Sequence, residues 1–142
     1  MAFTLPDPAT EFGARVARRL REEVVAWFTV VDAAGTPQPA PVWFLWDGES
    51  VLIYSHGQAK RLEHLAAHPR VSFHFDGDGA GGNIVVLTGT AEAVPDEPPA
   101  NENQPYLAKY GSRISGGWSS AENFASIYSV PVRFRPQRVR GH

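Results

Sequence analysis

The sequence predicts a mainly β domain: six antiparallel strands rolled into a closed or nearly closed barrel, with short helices at its ends. Three observations lead there. β-Branched and aromatic runs recur along the chain, and tight turns separate several of them. Most links are also too short to hold the crossover helices of a parallel α/β sheet. The size fits one domain, since 142 residues with 43% hydrophobic and 20% charged residues make an ordinary globular balance.

The elements follow in order. Pro8 to Glu23 reads as a first helix, with Asp7 as N-cap and Pro8 in the first helical position. Phe12, Val16 and Leu20 form its apolar stripe, and Arg15, Arg18, Arg19 and Arg21 read as a solvated face. Val24 to Val31 is a buried strand, and the turn Asp32-Ala33-Ala34-Gly35 sends the chain back as a hairpin. The returning strand carries Pro37, Pro39 and Pro41 before Val42-Trp43-Phe44-Leu45-Trp46. Alternate N–H groups of a strand point the same way, so three alternate prolines strip the donors from one edge. That edge is expected to border an opening, a ligand or a partner chain.

After the Asp47-Gly48 turn, Val51 to Ser55 is a strand, and Gln58 to His68 a short helix ended by Pro69. Val71 to Phe75 is the next strand, followed by the Gly-rich hairpin loop from Asp76 to Gly82. Asn83 to Val94 is a long strand with a bend or bulge expected at Gly89. Pro95 to Gln104 reads as a loop, and Tyr106 to Tyr110 as a helix stopping at Gly111. Ser112 to Ser119 reads as a small-residue loop, and Ser120 to Phe124 as a helical turn. Ile127 to Phe134 completes the sheet, trailed by an extended basic tail with Arg133, Arg135, Arg138 and Arg140.

Composition removes several function classes. Thirteen Lys plus Arg against 15 Asp plus Glu give a net charge of −2, which speaks against a dedicated nucleic-acid binder. The absence of cysteine excludes disulfides, thiolate metal sites and a cysteine nucleophile. No apolar run approaches the roughly 20 residues of a membrane span. The N-terminus has no basic region followed by an apolar stretch, so a soluble cytoplasmic protein is expected.

Among the chemical signals, His64 and His68 share the i, i+4 spacing of a zinc pair but lack a third ligand, and no metal site is expected. Ser55-His56 has no G-x-S-x-G elbow to make a hydrolase of it. The loop Gly77-Asp78-Gly79-Ala80-Gly81-Gly82 precedes a strand and carries carboxylates, so it reads as a mobile hairpin tip and not a phosphate cradle. A fourth signal is better. Tyr54-Ser55-His56-Gly57 ends a strand, and Gln58-Ala59-Lys60-Arg61 opens a helix, bringing free N–H groups, a hydroxyl and two cations together. Spacing alone leaves a phosphate site and a capped surface helix with solvated basic side chains equally open.

The stretch from Trp27 to Phe75 resembles the flavin/deazaflavin oxidoreductases of the split β-barrel, the pyridoxamine-phosphate-oxidase-like class. The resemblance lies in Asp32-Ala33-Ala34-Gly35-Thr36-Pro37-Gln38, Pro41-Val42-Trp43-Phe44, Trp46-Asp47-Gly48 and Tyr54-Ser55. It continues through Gln58-Ala59-Lys60-Arg61-Leu62 and His68-Pro69-Arg70-Val71-Ser72. Within that class the chain is most similar to the branch that uses the deazaflavin coenzyme F420. The C-terminal third matches only in general plan.

The resemblance implies a six-stranded antiparallel split β-barrel of the FMN-binding type spanning residues 1–142 as a single domain. It implies that the strand Pro41-Val42-Trp43-Phe44 lies against a flat ring, that Gln38 also belongs to the cofactor site, and that the segment from Ser55 to Arg61, through Ser55, His56, Gln58, Ala59, Lys60 and Arg61, holds the phosphate. It also implies a homodimer with the cofactor in a cleft between subunits. The expected activity is hydride transfer from reduced F420 to an electron-poor small-molecule acceptor. The alternatives are an FMN-dependent oxidoreductase of the same fold and a non-catalytic flavin or tetrapyrrole carrier. One departure stands out: a basic residue often found shortly before the Lys60 position is here neutral Gln58, which leaves phosphate compensation to Lys60 and Arg61. No motif nominates an acid or base; Tyr54, Tyr106, Tyr110 and Tyr128 are candidate proton donors that read equally well as packing residues. The arginines of the first helix and of the tail are expected to meet the anionic tail that F420 carries beyond its phosphate.

Overall fold

The computed structural model describes residues 3–118 and 120–142. Met1 and Ala2 of the N-terminal stretch, and Ser119 at the end of the expected small-residue loop, lie outside the described residues. Seven strands, β1 (Ala26–Val31), β2 (Pro37–Val42), β3 (Leu45–Trp46), β4 (Val51–Ser55), β5 (Arg70–His74), β6 (Val85–Ala93) and β7 (Val130–Gly141), form one sheet in the order β2-β1-β5-β6-β7-β4-β3. Every pairing is antiparallel.

Seven strands replace the expected six because the run from Pro37 to Trp46 breaks at Trp43-Phe44. Its first half pairs with β1 and its second half with β4. β2 and β3 are therefore the two opposite edges of the sheet, joined by two residues. Edges so tethered must approach each other, so the sheet curls into a half-barrel closed at that corner by the chain itself and split elsewhere.

The prolines explain the split. Pro37, Pro39 and Pro41 sit opposite Val31, Thr29 and Trp27, so the N–H donors to β1 must come from Gln38, Ala40 and Val42. N–H and C=O of one residue share a side in an antiparallel strand, so the open edge of β2 offers the proline carbonyls and no donor at those positions. No further strand can extend it there, as the sequence predicts.

Inside the curl lies a core of aliphatic and phenylalanine side chains. Phe28, Phe44, Phe73 and Phe134 are each at most 1% exposed, and Val16 and Leu20 of helix α1 (Glu11–Glu22) cap this core. β4 is buried at all five positions because it serves two cores. Val51 and Ile53 face the barrel, while Leu52 and Tyr54 join a second cluster under α3 (Gln104–Gly117) and α4 (Ala121–Ile127). The remaining helix, α2 (Arg61–Ala67), connects β4 to β5.

Four further expectations are corrected. α1 starts at Glu11 because the Thr10 side chain, not Asp7, accepts the Gly13 N–H, while Asp7 caps the preceding turn through Ala9 N–H. The segment Ala100–Glu102, expected as loop, forms a turn of 3₁₀ helix. α3 runs through Gly111 to Gly117 because Tyr106, Tyr110 and Ile114 recur every four residues and bury one face. That burial overrides the roughly 1 kcal/mol propensity penalty of a mid-helix glycine. The basic tail is the greater part of β7: Val132, Phe134 and Pro136 are buried at alternate positions while the intervening arginines point outward. The irregularity expected at Gly89 is present as a register shift between Thr88 and Gly89, where any Cβ would collide with the Arg135 carbonyl.

Candidate functional site

The split leaves two adjoining depressions on one side of the molecule. An open groove of about 530 Å³ runs between the end of β1, the open edge of β2 and α2, lined by Asp32, Gln38, Pro39, Ala59, Lys60 and His64 among others. Beside it a smaller cavity of about 220 Å³ is walled by Pro41, Val42, Trp43, Tyr54, Tyr106, Trp118, Phe124 and Tyr128, with His56 also on its lining. Arg61 lines both and forms the partition.

Local chemistry fixes these positions. His56 Nδ1 accepts the Gln58 N–H at 3.2 Å, which leaves the neutral imidazole proton on Nε2. With the chain from His56 to Lys60 folded in turns, α2 starts at Arg61 instead of Gln58, and Lys60 occupies its N-cap. Lys60 and Arg61 thus leave the turn side by side, and among the described residues neither side chain makes an ion pair. Burial lowers the Arg61 pKa, yet a guanidinium keeps its proton in any protein environment. On the facing wall the Thr36 N–H is the main cause that holds the Asp32 carboxyl below its usual range, with the Gln38 amide next. Gln38 Nε2 donates to Asp32 Oδ2 at 3.0 Å and is committed there.

The expected site residues thus divide. Gln38, Ala59, Lys60 and Arg61 line the groove, and Pro41, Val42, Trp43, His56 and Arg61 line the cavity. Ser55 lines neither; it is 1% exposed and its hydroxyl donates to the His56 carbonyl at 3.2 Å. Gln58 turns to a separate shallow depression with Gly57, Ser126 and Ser129. Trp43 is engaged by its neighbours, with Tyr110 stacked on it at 4.6 Å and 9° and Phe124 near-parallel at 5.7 Å.

Nor do the arginine groups expected near the phosphate line the groove. Arg19 is buried, donating to the Asp76 and Asn83 carbonyls and paired with Glu23, while Arg15 holds Asn83 and the His142 carbonyl. Arg133 pairs with Asp47 and Glu97, and Arg135 with Glu92. Arg138 and Arg140 line a wide depression of about 930 Å³ formed with the N-terminal arm at Phe3–Pro6, which none of the expected site residues lines.

The family profile of pyridoxamine 5'-phosphate oxidase matches residues 12–142. The chain belongs to that family. Its members typically hold flavin-type cofactors. No curated relative matches the sequence. Among solved structures, a conserved hypothetical protein from Mycobacterium tuberculosis superposes with a TM-score of 0.69 at 20% identity, covering 97% of this chain and 88% of that one. An F420 reductase gives 0.65 at 21% identity over 85% and 92%. The haem-storage protein HutZ from Vibrio cholerae gives 0.62 at 14% over 90% and 92%. These likenesses establish the shared fold. No helix of the described residues is long and apolar enough to cross a membrane.

For this member of the pyridoxamine 5'-phosphate oxidase family the structure also sorts the four tyrosines. Tyr54 donates to the Pro98 carbonyl at 2.8 Å and accepts from Asn103, so its hydroxyl is committed. The Tyr110 hydroxyl accepts the Phe44 N–H at 2.9 Å and lies 2.7 Å from the Val24 carbonyl. Tyr106 and Tyr128 line the cavity, and among the described residues their hydroxyls have no hydrogen-bond partner. Burial raises the Tyr106 pKa, so it remains a protonated donor at neutral pH. Tyr106, Trp118, Phe124 and Tyr128 come from the C-terminal third, where the sequence offers aromatic residues at helical spacing and no motif.

Proposed function

We propose that the chain is an oxidoreductase that transfers a hydride from reduced coenzyme F420 to an electron-poor organic acceptor, as a homodimer. The observation that carries this reading is the pair Lys60–Arg61, two cations with no ion-pair partner among the described residues, at the head of a groove whose opposite wall is a donor-free proline edge. The donor set fits such a cofactor: ammonium and guanidinium groups suit a phosphate, and the β2 carbonyls suit the N–H edge of a flat heterocycle. Bound there, the reduced cofactor supplies the hydride.

Each residue then has a task. Lys60 neutralises the phosphate, and Arg61, on the partition, is shared between the groove and the cavity. The edge carbonyls of Pro39 and Pro41 accept hydrogen bonds from the ring edge and fix its orientation. Trp43, Phe124 and Tyr128 exclude water from the acceptor side, and Tyr106 or Tyr128 holds a proton at its hydroxyl oxygen. A second copy of the chain closing over the open edge completes the cleft.

FMN is the second reading, and one observation favours it. Beyond Lys60 and Arg61 no lysine or arginine lines the groove among the described residues, which suits a ligand that ends at its phosphate. Stopped-flow mixing of purified protein, reduced F420 and a panel of quinone and nitroaromatic acceptors tests the proposal. Oxidation of F420 that depends on both protein and acceptor is expected. Tight binding without turnover across the panel would make the protein a carrier, and turnover with reduced FMN alone would select the second reading.

A further inference from the structure

The aromatic cavity has its own chemistry. At about 220 Å³ it is smaller than the roughly 300–1,000 Å³ of sites that enclose a complete drug-sized ligand. Trp43, Phe124 and Tyr128 give it ring walls, with Phe124 and Tyr128 stacked at 4.8 Å and 23°. Such walls admit a flat guest. Polar groups of Arg61, His56, Tyr106 and Tyr128 reach the lining. The Arg61 guanidinium is half-buried, and no hydrogen bond or ion pair occupies it among the described residues. The His56 ring carries its proton on Nε2, and the ring stands edge-on to Tyr128 at 5.9 Å. Tyr106 is 1% exposed, and among the described residues its hydroxyl has no hydrogen-bond partner.

Among the described residues no Asp or Glu lines the cavity, so no carboxylate there compensates the guanidinium. A hydroxyl on the cavity lining and a half-buried guanidinium, neither with a partner among the described residues, leave hydrogen-bond donors available to a ligand. We infer that this cavity is a second ligand site, distinct from the groove, that takes a flat aromatic carboxylate with its anion on Arg61 and a ring oxygen or nitrogen on Tyr106. It rests on the reading above only in naming this ligand the hydride acceptor; the binding site itself stands on the cavity.

Arg61 and Tyr106 make the claim specific. A guanidinium in a partly dry site favours carboxylate over the isosteric amide, because the charge-assisted bond is about twice as strong as a neutral one. A cationic analogue faces the repulsion of the guanidinium. Calorimetric titration of the purified protein with 2-naphthoate, 2-naphthamide and 2-naphthylmethylammonium reads this without any turnover. Saturable binding of 2-naphthoate is expected, at least tenfold tighter than 2-naphthamide, with no heat from the ammonium compound. Arg61→Gln should weaken 2-naphthoate at least tenfold and leave 2-naphthamide unchanged, and Tyr106→Phe should weaken 6-hydroxy-2-naphthoate more than 2-naphthoate.

Equal affinity for acid and amide, or no binding of either, overturns the inference on the wild-type protein alone. Loss of 2-naphthoate binding when F420 or FMN saturates the groove also overturns it, because the cavity would then be the cofactor's own ring pocket. Titration of F420 and FMN in the same preparation separates the two proposals. Naphthoate binding without cofactor binding breaks the oxidoreductase reading and leaves this site intact; cofactor binding without naphthoate binding does the reverse.

Discussion

The two apolar clusters share β4 and the Val42–Leu45 corner, yet they are built differently. The barrel core is made of valine, leucine, isoleucine, alanine and phenylalanine, and it carries no side-chain polar atom. The cluster under α3 and α4 includes Tyr54, Tyr106 and Tyr110, with Trp43, Trp118 and Tyr128 packed against it. Apolar side chains of regular shape fill the first region. The second keeps a cavity beside hydroxyls, some tied to backbone and some left facing the opening. The difference shows where specificity resides: one core sets the fold, and the other spends packing density on a place for a ligand.

Two substitutions set the regions against each other. Phe73, fully buried among Phe44, Phe75 and Phe134, belongs to the first. Phe73→Ala should cost about 3–5 kcal/mol of stability by urea unfolding, the usual penalty for emptying a packed core. Tyr110→Phe removes only a hydroxyl from the second, but that hydroxyl is an acceptor for Phe44 N–H and a donor to backbone at the corner joining β2 and β3. Its loss should cost roughly 1–3 kcal/mol. It should also change tryptophan fluorescence, since Trp43 stacks on the same ring. Equal costs for the two changes, with no spectral difference, would erase the distinction.

The smallest contrast is one of pH. Lys109 sits 3.8 Å from the Phe44 ring centroid and donates to the Phe44 carbonyl at 2.9 Å, and burial pulls its pKa down to about 8. The unfolded chain therefore holds that proton up to about pH 10.5 while the folded chain releases it, so stability rises with pH across that window. Discounted for its partial exposure to solvent, the gain is on the order of 1 kcal/mol. Burial raises Tyr54, Tyr106 and Tyr110, and these act oppositely. Their neutral forms stabilise the fold below about pH 10, and that contribution is lost as pH climbs further. Urea midpoints from pH 7 to 11 should pass through a maximum near the alkaline end, and Lys109→Met should flatten the rising limb.

Much of the barrel is legible because its signals are local. A β-branched and aromatic run marks β1, alternation marks β5, the proline triplet marks an open edge, and Gly89 marks a bulge. What stayed hidden is set by distant contacts. Nothing in Val42-Trp43-Phe44-Leu45-Trp46 says that the run divides between opposite edges, since the division depends on β4 lying across the barrel. The basic residues of β7 read as a tail because the pairing with β6 that organises them is non-local. The same holds for the site. Lys60 and Arg61 are legible as neighbours in the chain, whereas the cavity walls from α3 and α4 come together only through packing.

The central claim is that the groove between the β2 edge and Lys60–Arg61 holds a phosphorylated deazaflavin. Fluorescence titration of the purified protein with F420 and with FMN, at two ionic strengths, tests it most directly. Tighter binding of F420 is expected, with an affinity that falls as salt rises because the exposed Lys60 contact is screened. Lys60→Ala should lose about 1–3 kcal/mol of that affinity with its urea midpoint unchanged. Submicromolar FMN binding with no F420 binding, or equal F420 affinity in wild type and Lys60→Ala at low salt, would contradict it.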